Sequence, residues 1–207
     1  YAVRNNIMIN VGQYKIIDNF LSPHQLKFIQ NQMFGNSFPW YYTENINDKD
    51  DSNCYFAHNL YASQTTSEFF WPIWDIFSRN THKFVNENAM FHLIRVKMNC
   101  YPRESKDGKK KKIHGFHQDM AEFDNNVALF YVNSTDAPTY LKGGDGQKDI
   151  AIEGIENRLL IFHGHHWHAS STPSNAKTRV TININYHEYS GFNDFGKPMF
   201  YWEKSND

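Results

Sequence analysis

The chain has 207 residues, 40% of them hydrophobic, with 17 Phe, 12 Tyr and 5 Trp. This length suits one domain with a substantial core, and the aromatic content excludes a disordered chain despite the many Asn and Lys. A formal net charge of −1 excludes a global field that would draw nucleic acid or an anionic membrane, so any basic function rests on the local run Lys109–Lys112.

Taken in chain order, "YKIIDNFLSPHQLKFIQNQM" predicts a strand and then a helix. Ser22 suits the N-cap, Pro23 the first helical position and Gln25 the third position of a capping box, while Leu26, Ile29 and Met33 share one face. The acidic, aromatic stretch "FPWYYTENINDKDDSN" reads as an irregular surface excursion. "TSEFFWPIWDIFSRNTHKFVNEN" predicts a second helix, with Pro72 near its first turn or kinking it.

From Phe91 the pattern changes to short strands: "FHLIRVKMNCY", "NNVALFYVN", "TYLKGG", "DIAIEG", "NRLLIFHG" and "RVTININYHEY". Turn signals at Gly143-Gly144-Asp145-Gly146 and Thr172-Pro173-Ser174-Asn175 separate them. Helices followed by many strands predict an α+β chain dominated by a β-sandwich or barrel, a single domain over residues 1–207. "KGGDGQK" lacks the GK[ST] ending of a phosphate loop and reads as a hairpin turn.

Cys54 and Cys100 are too few for a disulfide framework and form no CxxC knuckle, so two reduced, partly buried thiols are expected. No apolar run approaches transmembrane length, and "YAVRNNIMINV" lacks the apolar centre of a signal peptide. The expectation is a cytoplasmic protein with no membrane partner, in which the Asn133-Ser-Thr sequon is a chance match.

"HGFHQDMAEF" places His117 and Asp119 two positions apart, and on a strand two such side chains share a face and can converge on one ion. A third ligand must come from elsewhere, and His163, His165, His166 and His168 cluster in "IFHGHHWHASSTP". Here "RLLIF" reads as a strand, His163-Gly164 as a turn, and "WHAS" as the resumed chain carrying His168. Two imidazoles and one carboxylate leave three octahedral positions open, an arrangement suited to non-haem Fe(II). "HGHHWH" alone could equally be a surface cluster with adventitious metal affinity. His114, three positions before His117, faces the other way on an extended strand. Arg179 opens an apolar strand entering the core, where a guanidinium needs an anion such as a carboxylate held in a bidentate fork. Lys177 competes for that role but falls in the polar turn before the strand.

"FHQDM" followed by "RLLIFHGHHWHASSTPSNAKTRVTINI" resembles the Fe(II)/2-oxoglutarate-dependent dioxygenases, especially their prolyl-hydroxylase-like branch. The resemblance covers roughly Phe91 to Tyr186 and, more loosely, "IIDNFLSPHQLKFI". It implies a double-stranded β-helix, a jelly-roll and cupin relative, over about 91–190, flanked by N-terminal helical support over about 1–90. Carried over, His117, Asp119 and His168 are the iron ligands and Arg179 holds the distal carboxylate of 2-oxoglutarate. The Tyr of "NCYP", Tyr101, and that of "LFYVN", Tyr131, match positions beside the cosubstrate. Where many members have Asp in "FDG", this chain has His163, so His163, His165 and His166 are expected to be non-ligands, with His166 a candidate outer donor.

The implied reaction couples decarboxylation of 2-oxoglutarate by O2, giving succinate and CO2, to hydroxylation of an unactivated C–H bond, with ascorbate as a candidate reductant. The implied substrate is a prolyl residue in a peptide or protein, with a free amino acid or small metabolite as the alternative. Nucleic acid is disfavoured by the near-neutral charge. Arg103, Lys106 and Lys109–Lys112 precede the HxD motif in a loop that is either solvated or attracts an anionic substrate. Outside this class stand a cupin-like metalloenzyme, which would not require Arg179, and a non-catalytic jelly-roll binding module.

Overall fold

The computed structural model describes residues 9–46, 54–86, 89–104, 112–122 and 124–189. Lys106 and Lys109–Lys111 lie outside the described residues. The N-terminal part contains β1 (Tyr14–Ile17), α1 (Pro23–Met33), β2 (Tyr41–Thr43), β3 (Tyr55–Ala62) and α2 (Phe70–Ser78). It is followed by β4 (Met90–Pro102), β5 (Asn126–Tyr131), β6 (Thr135–Leu141), β7 (Ile150–Gly154), β8 (Leu159–His163), β9 (His168–Ala169) and β10 (Thr178–Tyr189).

All strand pairs are antiparallel. One sheet of seven strands runs β1-β8-β5-β10-β4-β3-β2, and a second of three runs β7-β6-β9. This is the α+β architecture expected from the strand pattern, and its two antiparallel sheets form the jelly roll that the resemblance implied. β10 lies at the centre of the large sheet, and its alternation builds both faces. Val180, Ile182, Ile184 and Tyr186 point to the main core, whereas Arg179, Thr181, Asn183 and Asn185 are buried on the opposite face. β4 repeats the pattern, with Val96, Met98 and Cys100 in the core and Arg95, Lys97, Asn99 and Tyr101 alternating with them.

The two helices close the apolar face. α1 begins as its sequence predicts: the Ser22 hydroxyl accepts from Gln25 N at 3.3 Å, and the Gln25 side chain accepts from Ser22 N at 3.0 Å. Its Ile29 and Met33 are buried, with Leu26 packed beside them. α2 is shorter than predicted. Pro72 sits in its first turn, where a missing N–H leaves no bond unmade. The helix stops because Asn80 donates its amide to Ile76 O at 2.8 Å and Thr81 its hydroxyl to Ser78 O at 3.0 Å, satisfying terminal carbonyls that a further turn would have used. Phe20 joins the helices to the sheet, its ring centroid 6.0 Å from Phe77 and 6.1 Å from Phe130.

Two expectations need correction. The surface excursion contains β2, which pairs with β3 and so extends the large sheet. A register shift between Asn59 and Tyr61 interrupts the two-residue period of "YFAHNLYA" and hides the strand from pattern reading. The thiols also differ from the expected pair: Cys54 is exposed, whereas Cys100 is buried and pushed up to about 11 by that burial. The Gly143–Gly146 turn does join β6 to β7 as a hairpin.

Asn157 ties the N-terminal segment to the turn before β8. Its side chain accepts from Leu21 N and donates to Leu21 O, both at 2.8 Å, while its backbone exchanges bonds with Phe20 and Tyr131. It does so at a φ of +62°, a region that Asn tolerates better than most residues. Asn157→Ala is expected to destabilise the protein by about 2–4 kcal/mol through two lost bonds and a strained backbone. Asn157→Gly should recover about 1 kcal/mol of that loss by relieving the strain alone. Urea denaturation of both variants measures the difference.

Candidate metal centre and adjoining basic pocket

The segment carrying His117 and Asp119 is a strap across β9 and not the continuous strand the HxD spacing suggested. It touches β9 and the residues beyond it through isolated bridges, Ile113 to Ser171 and His117 to His168. His117 and His168 exchange both backbone bonds at 2.9 Å, which sets their side chains together and brings the rings to 4.3 Å between centroids. The chain then turns. Asp119 N donates to Gly164 O at 3.0 Å, and Met120 adopts a φ of +48°. Gly164 must lie against Asn125 here, because a Cβ at this position would overlap the Asn125 side chain. Asn125 in turn donates to Asp119 O at 3.0 Å.

The result is one cluster. Donor atoms of His117, Asp119 and His168 all lie within 4.8 Å of one another, with Asp119 and His168 buried and His117 half-buried. The ring of His168 rests edge-on against Phe162, and its Nδ1–H donates to His166 O at 2.9 Å, leaving Nε2 unprotonated and available to an ion. Burial pushes the His168 imidazole down to about 4, against the opposite pull of Asp119. Burial alone would raise the Asp119 carboxyl. The Arg95 guanidinium 3.3 Å away, the two imidazoles and the Asn183 amide at 2.7 Å outweigh that cost and hold it well below the usual carboxylate range. Asn185 completes the cradle by accepting from Arg95 Nε at 2.9 Å. Two imidazoles and an ionised carboxylate form a donor set that could hold a single ion and leave positions open on it.

Arg179, on the same face of β10, is 1% exposed. One of its nitrogens donates to Thr139 Oγ1 at 2.7 Å, while Nε has no partner among the described residues. The guanidinium lies 5.4 Å from the Tyr101 ring and 5.6 Å from that of Tyr131, whose hydroxyl also donates to Thr139 Oγ1, at 2.6 Å. Burial raises both phenols, with Arg179 pulling them down, so both remain neutral hydrogen donors. No carboxylate pairs with Arg179 among the described residues, so its buried charge is left without an opposite charge beside it.

The remaining candidates lie elsewhere. His163 Nε2 meets Asp124 at 2.7 Å, and His166 Nε2 meets Lys142 O at 2.9 Å. It is the His166 carbonyl, not its ring, that orients His168. His114 bonds Ser170 Oγ at 2.6 Å, and Lys177 is exposed, as is Glu122. Sequence reading missed Thr139, Arg95, Asn183 and Asn185. The alternation of "RVTININY" carried a signal for the two asparagines, which occupy the same face as Arg179.

Comparison with solved structures gives the class of fold. A prolyl hydroxylase from Trichoplax adhaerens, solved with a hypoxia inducible factor oxygen degradation domain peptide fragment, superposes with a TM-score of 0.62 at 16% identity, over 84% of this chain and 82% of that one. An oxidoreductase of the 2OG-Fe(II) oxygenase family from Burkholderia pseudomallei gives 0.66 at 14% identity, over 84% of each chain. SnoN, a non-haem alpha-ketoglutarate-dependent epimerase from nogalamycin biosynthesis, gives 0.55 at 10% identity over 90% of each. The chain therefore has the double-stranded β-helix fold of the 2-oxoglutarate–Fe(II) oxygenases. No family model matches the sequence, and no curated protein matches it. Among the described residues, no helix is long and apolar enough to cross a membrane.

The depressed His168 value makes a prediction about acid stability. A buried imidazole titrating at about 4 against 6.5 when unfolded stabilises the native state fully above pH 6.5 and loses that contribution as pH falls toward 4. The metal-free protein should lose about 3 kcal/mol across this window, and His168→Gln should remove most of the slope. Asp119 acts in the same direction at lower pH, as its carboxylate becomes protonated. Urea melts across this range measure the slope.

Proposed function

We propose that this protein is an Fe(II)- and 2-oxoglutarate-dependent dioxygenase that hydroxylates an unactivated C–H bond, with a prolyl residue of a peptide or protein as its target. One observation carries the reading: a His–Asp–His donor set and a buried guanidinium without a carboxylate partner open onto the same face of one sheet. Arg179 and Asn183, which holds Asp119, lie four positions apart on β10, roughly 13 Å along the strand. Side chains reaching inward from both ends leave room for a short dicarboxylate between them.

His117, Asp119 and His168 would hold the ion. Arg95 and Asn183 fix the Asp119 carboxylate from behind, so that it stays ionised and cannot rotate away when the ion leaves. Arg179 would take the distal carboxylate of the cosubstrate, helped by the Thr139 and Tyr131 hydroxyls, while Tyr101 covers the guanidinium on its other side. Val127, Leu129 and Leu160 line the sheet beyond Tyr131 and exclude water from the pocket wall. When bound, Fe(II) with 2-oxoglutarate and O2 supplies the oxidising chemistry, and the protein supplies the open positions and the orientation. The prolyl reading is supported by the Trichoplax adhaerens enzyme and its peptide complex.

The test is anaerobic titration of the metal-free protein with Fe(II) and 2-oxoglutarate, following the visible charge-transfer band of the chelate. The band should form with the native chain and be lost in Asp119→Ala. Arg179→Ala should weaken 2-oxoglutarate by about 10- to 100-fold, the worth of its charge-assisted bonds, with little effect on iron affinity. Lys177→Ala should leave both unchanged. Iron binding without the chelate band would make a cupin-like metal site the better reading.

A further inference from the structure

β4 places a second cation on the ligand-facing side of the sheet, and the dioxygenase chemistry leaves it unused. Lys97 lies opposite Asn183 on β10 and opposite Asn59 on β3. Its stem runs along the sheet toward Tyr55, where Nζ donates to the phenol oxygen at 2.7 Å and lies 5.1 Å from the ring centroid. Tyr55 stacks on Tyr101 at 5.4 Å, and the Arg179 guanidinium covers the next position, 5.4 Å from Tyr101. Two cations therefore flank a pair of stacked tyrosines. Arg179 occupies the Tyr131–Thr139 side, and Lys97 lies on the β3 side. No carboxylate pairs with Lys97 among the described residues.

The charge on this face does not balance when the cofactors are added. Arg95, Lys97 and Arg179 contribute three positive charges, and Asp119 one negative. A divalent iron and the 2-oxoglutarate dianion cancel each other, so the loaded site keeps two positive charges in a partly buried setting. Such an excess is costly unless an anion arrives. Burial and the like charge of Arg95 lower the Lys97 ammonium, with Tyr101 and the more distant Asp119 carboxylate pulling the other way. The phenol oxygen and ring of Tyr55 give this ammonium one hydrogen bond and a cation–π contact, but they carry no negative charge to balance it.

We propose that Lys97 is a specificity-determining residue that receives a carboxylate carried by the substrate, beside the site for iron and 2-oxoglutarate. This inference rests on the dioxygenase reading. That carboxylate belongs to a free small acid or to an acidic side chain next to the target residue of a peptide.

The test uses the full chain with 13C-labelled lysine, loaded with Zn(II) in place of Fe(II) and saturated with 2-oxoglutarate. The Lys97 Cε resonance is identified by its absence from Lys97→Met, and Lys97→Arg serves as the charge-retaining variant. Acetate should shift this resonance saturably, and acetamide, its neutral counterpart, should bind about tenfold more weakly, as one charge-assisted bond implies. Acetate binding, followed by competition for the 2-oxoglutarate-loaded protein, should be lost in Lys97→Met and kept in Lys97→Arg. N-acetylproline and the blocked dipeptide acetyl-Asp-Pro-amide then separate the two sources by which shifts Lys97 at lower concentration. If 2-oxoglutarate itself moves the resonance and acetate no longer does, Lys97 belongs to the cosubstrate and the proposal falls. It falls equally if acetate and acetamide act alike or neither acts. Failure of the dioxygenase reading is a separate result, the missing charge-transfer band with Fe(II).

Discussion

Burying polar and charged side chains on one face of a central strand is the constraint around which this molecule is organised. β10 lies between β4 and β5, so both of its edges are hydrogen-bonded and neither face reaches open water. Its apolar side chains satisfy the core at no polar cost. Arg179, Thr181, Asn183 and Asn185 must each find a partner on the other face or remain costly. Asn183 and Asn185 find Asp119, and Asn185 also finds Arg95. Among the described residues Arg179 finds neutral partners, the Thr139 hydroxyl and the two tyrosines beside it. Buried atoms at both ends of the strand stay without a partner among those residues, Asn183 Oδ1 and Arg179 Nε, but only at Arg179 is the unsatisfied group a charged one.

The apolar side makes this polar face tenable. Phe20, Phe77, Phe84 and Phe130 pack the helices against the outside of the sheet, so the inner face can be given over to chemistry without leaving the domain short of a core. Asn157 anchors the entry to α1 on the turn before β8, linking the helical support to the strand that carries Phe162, which packs against His168. The His117–Asp119–His168 cluster is thus held indirectly by the same packing that stabilises the fold. The arrangement follows the expectation that a functional constellation needs rigid support behind it.

Much of this was legible in the sequence, for different reasons at different places. The capping box of α1 was visible because its signals are local, three residues apart. The strands after Phe91 were visible because alternation survives in the chain order. β3 was not, because its register shift breaks the alternation midway. The His117 and Asp119 pairing was suggested by strand periodicity, but the structure brings them together differently. A bridge to His168 and a turn through Met120 converge the donors. Thr139 gave no sign, since a threonine on a strand is ordinary until Arg179 and Tyr131 are seen to meet on its hydroxyl.

By itself the sequence determined the class of architecture and the residue types available for a metal and an anion, because hydrophobic period and donor chemistry are properties of the chain. The choice of His168 from "HGHHWH", which the resemblance implied, has its physical cause in the tertiary structure. The backbone exchange between His117 and His168 selects it, while Asp124 and the Lys142 carbonyl engage His163 and His166. Tertiary structure alone decided that Arg95 would hold Asp119 and that Lys97 would lie without a carboxylate beside Tyr55. Arg95 and Lys97 lie on one strand two positions apart, and only their tertiary neighbours, Asp119 for the one and the Tyr55 phenol for the other, distinguish them.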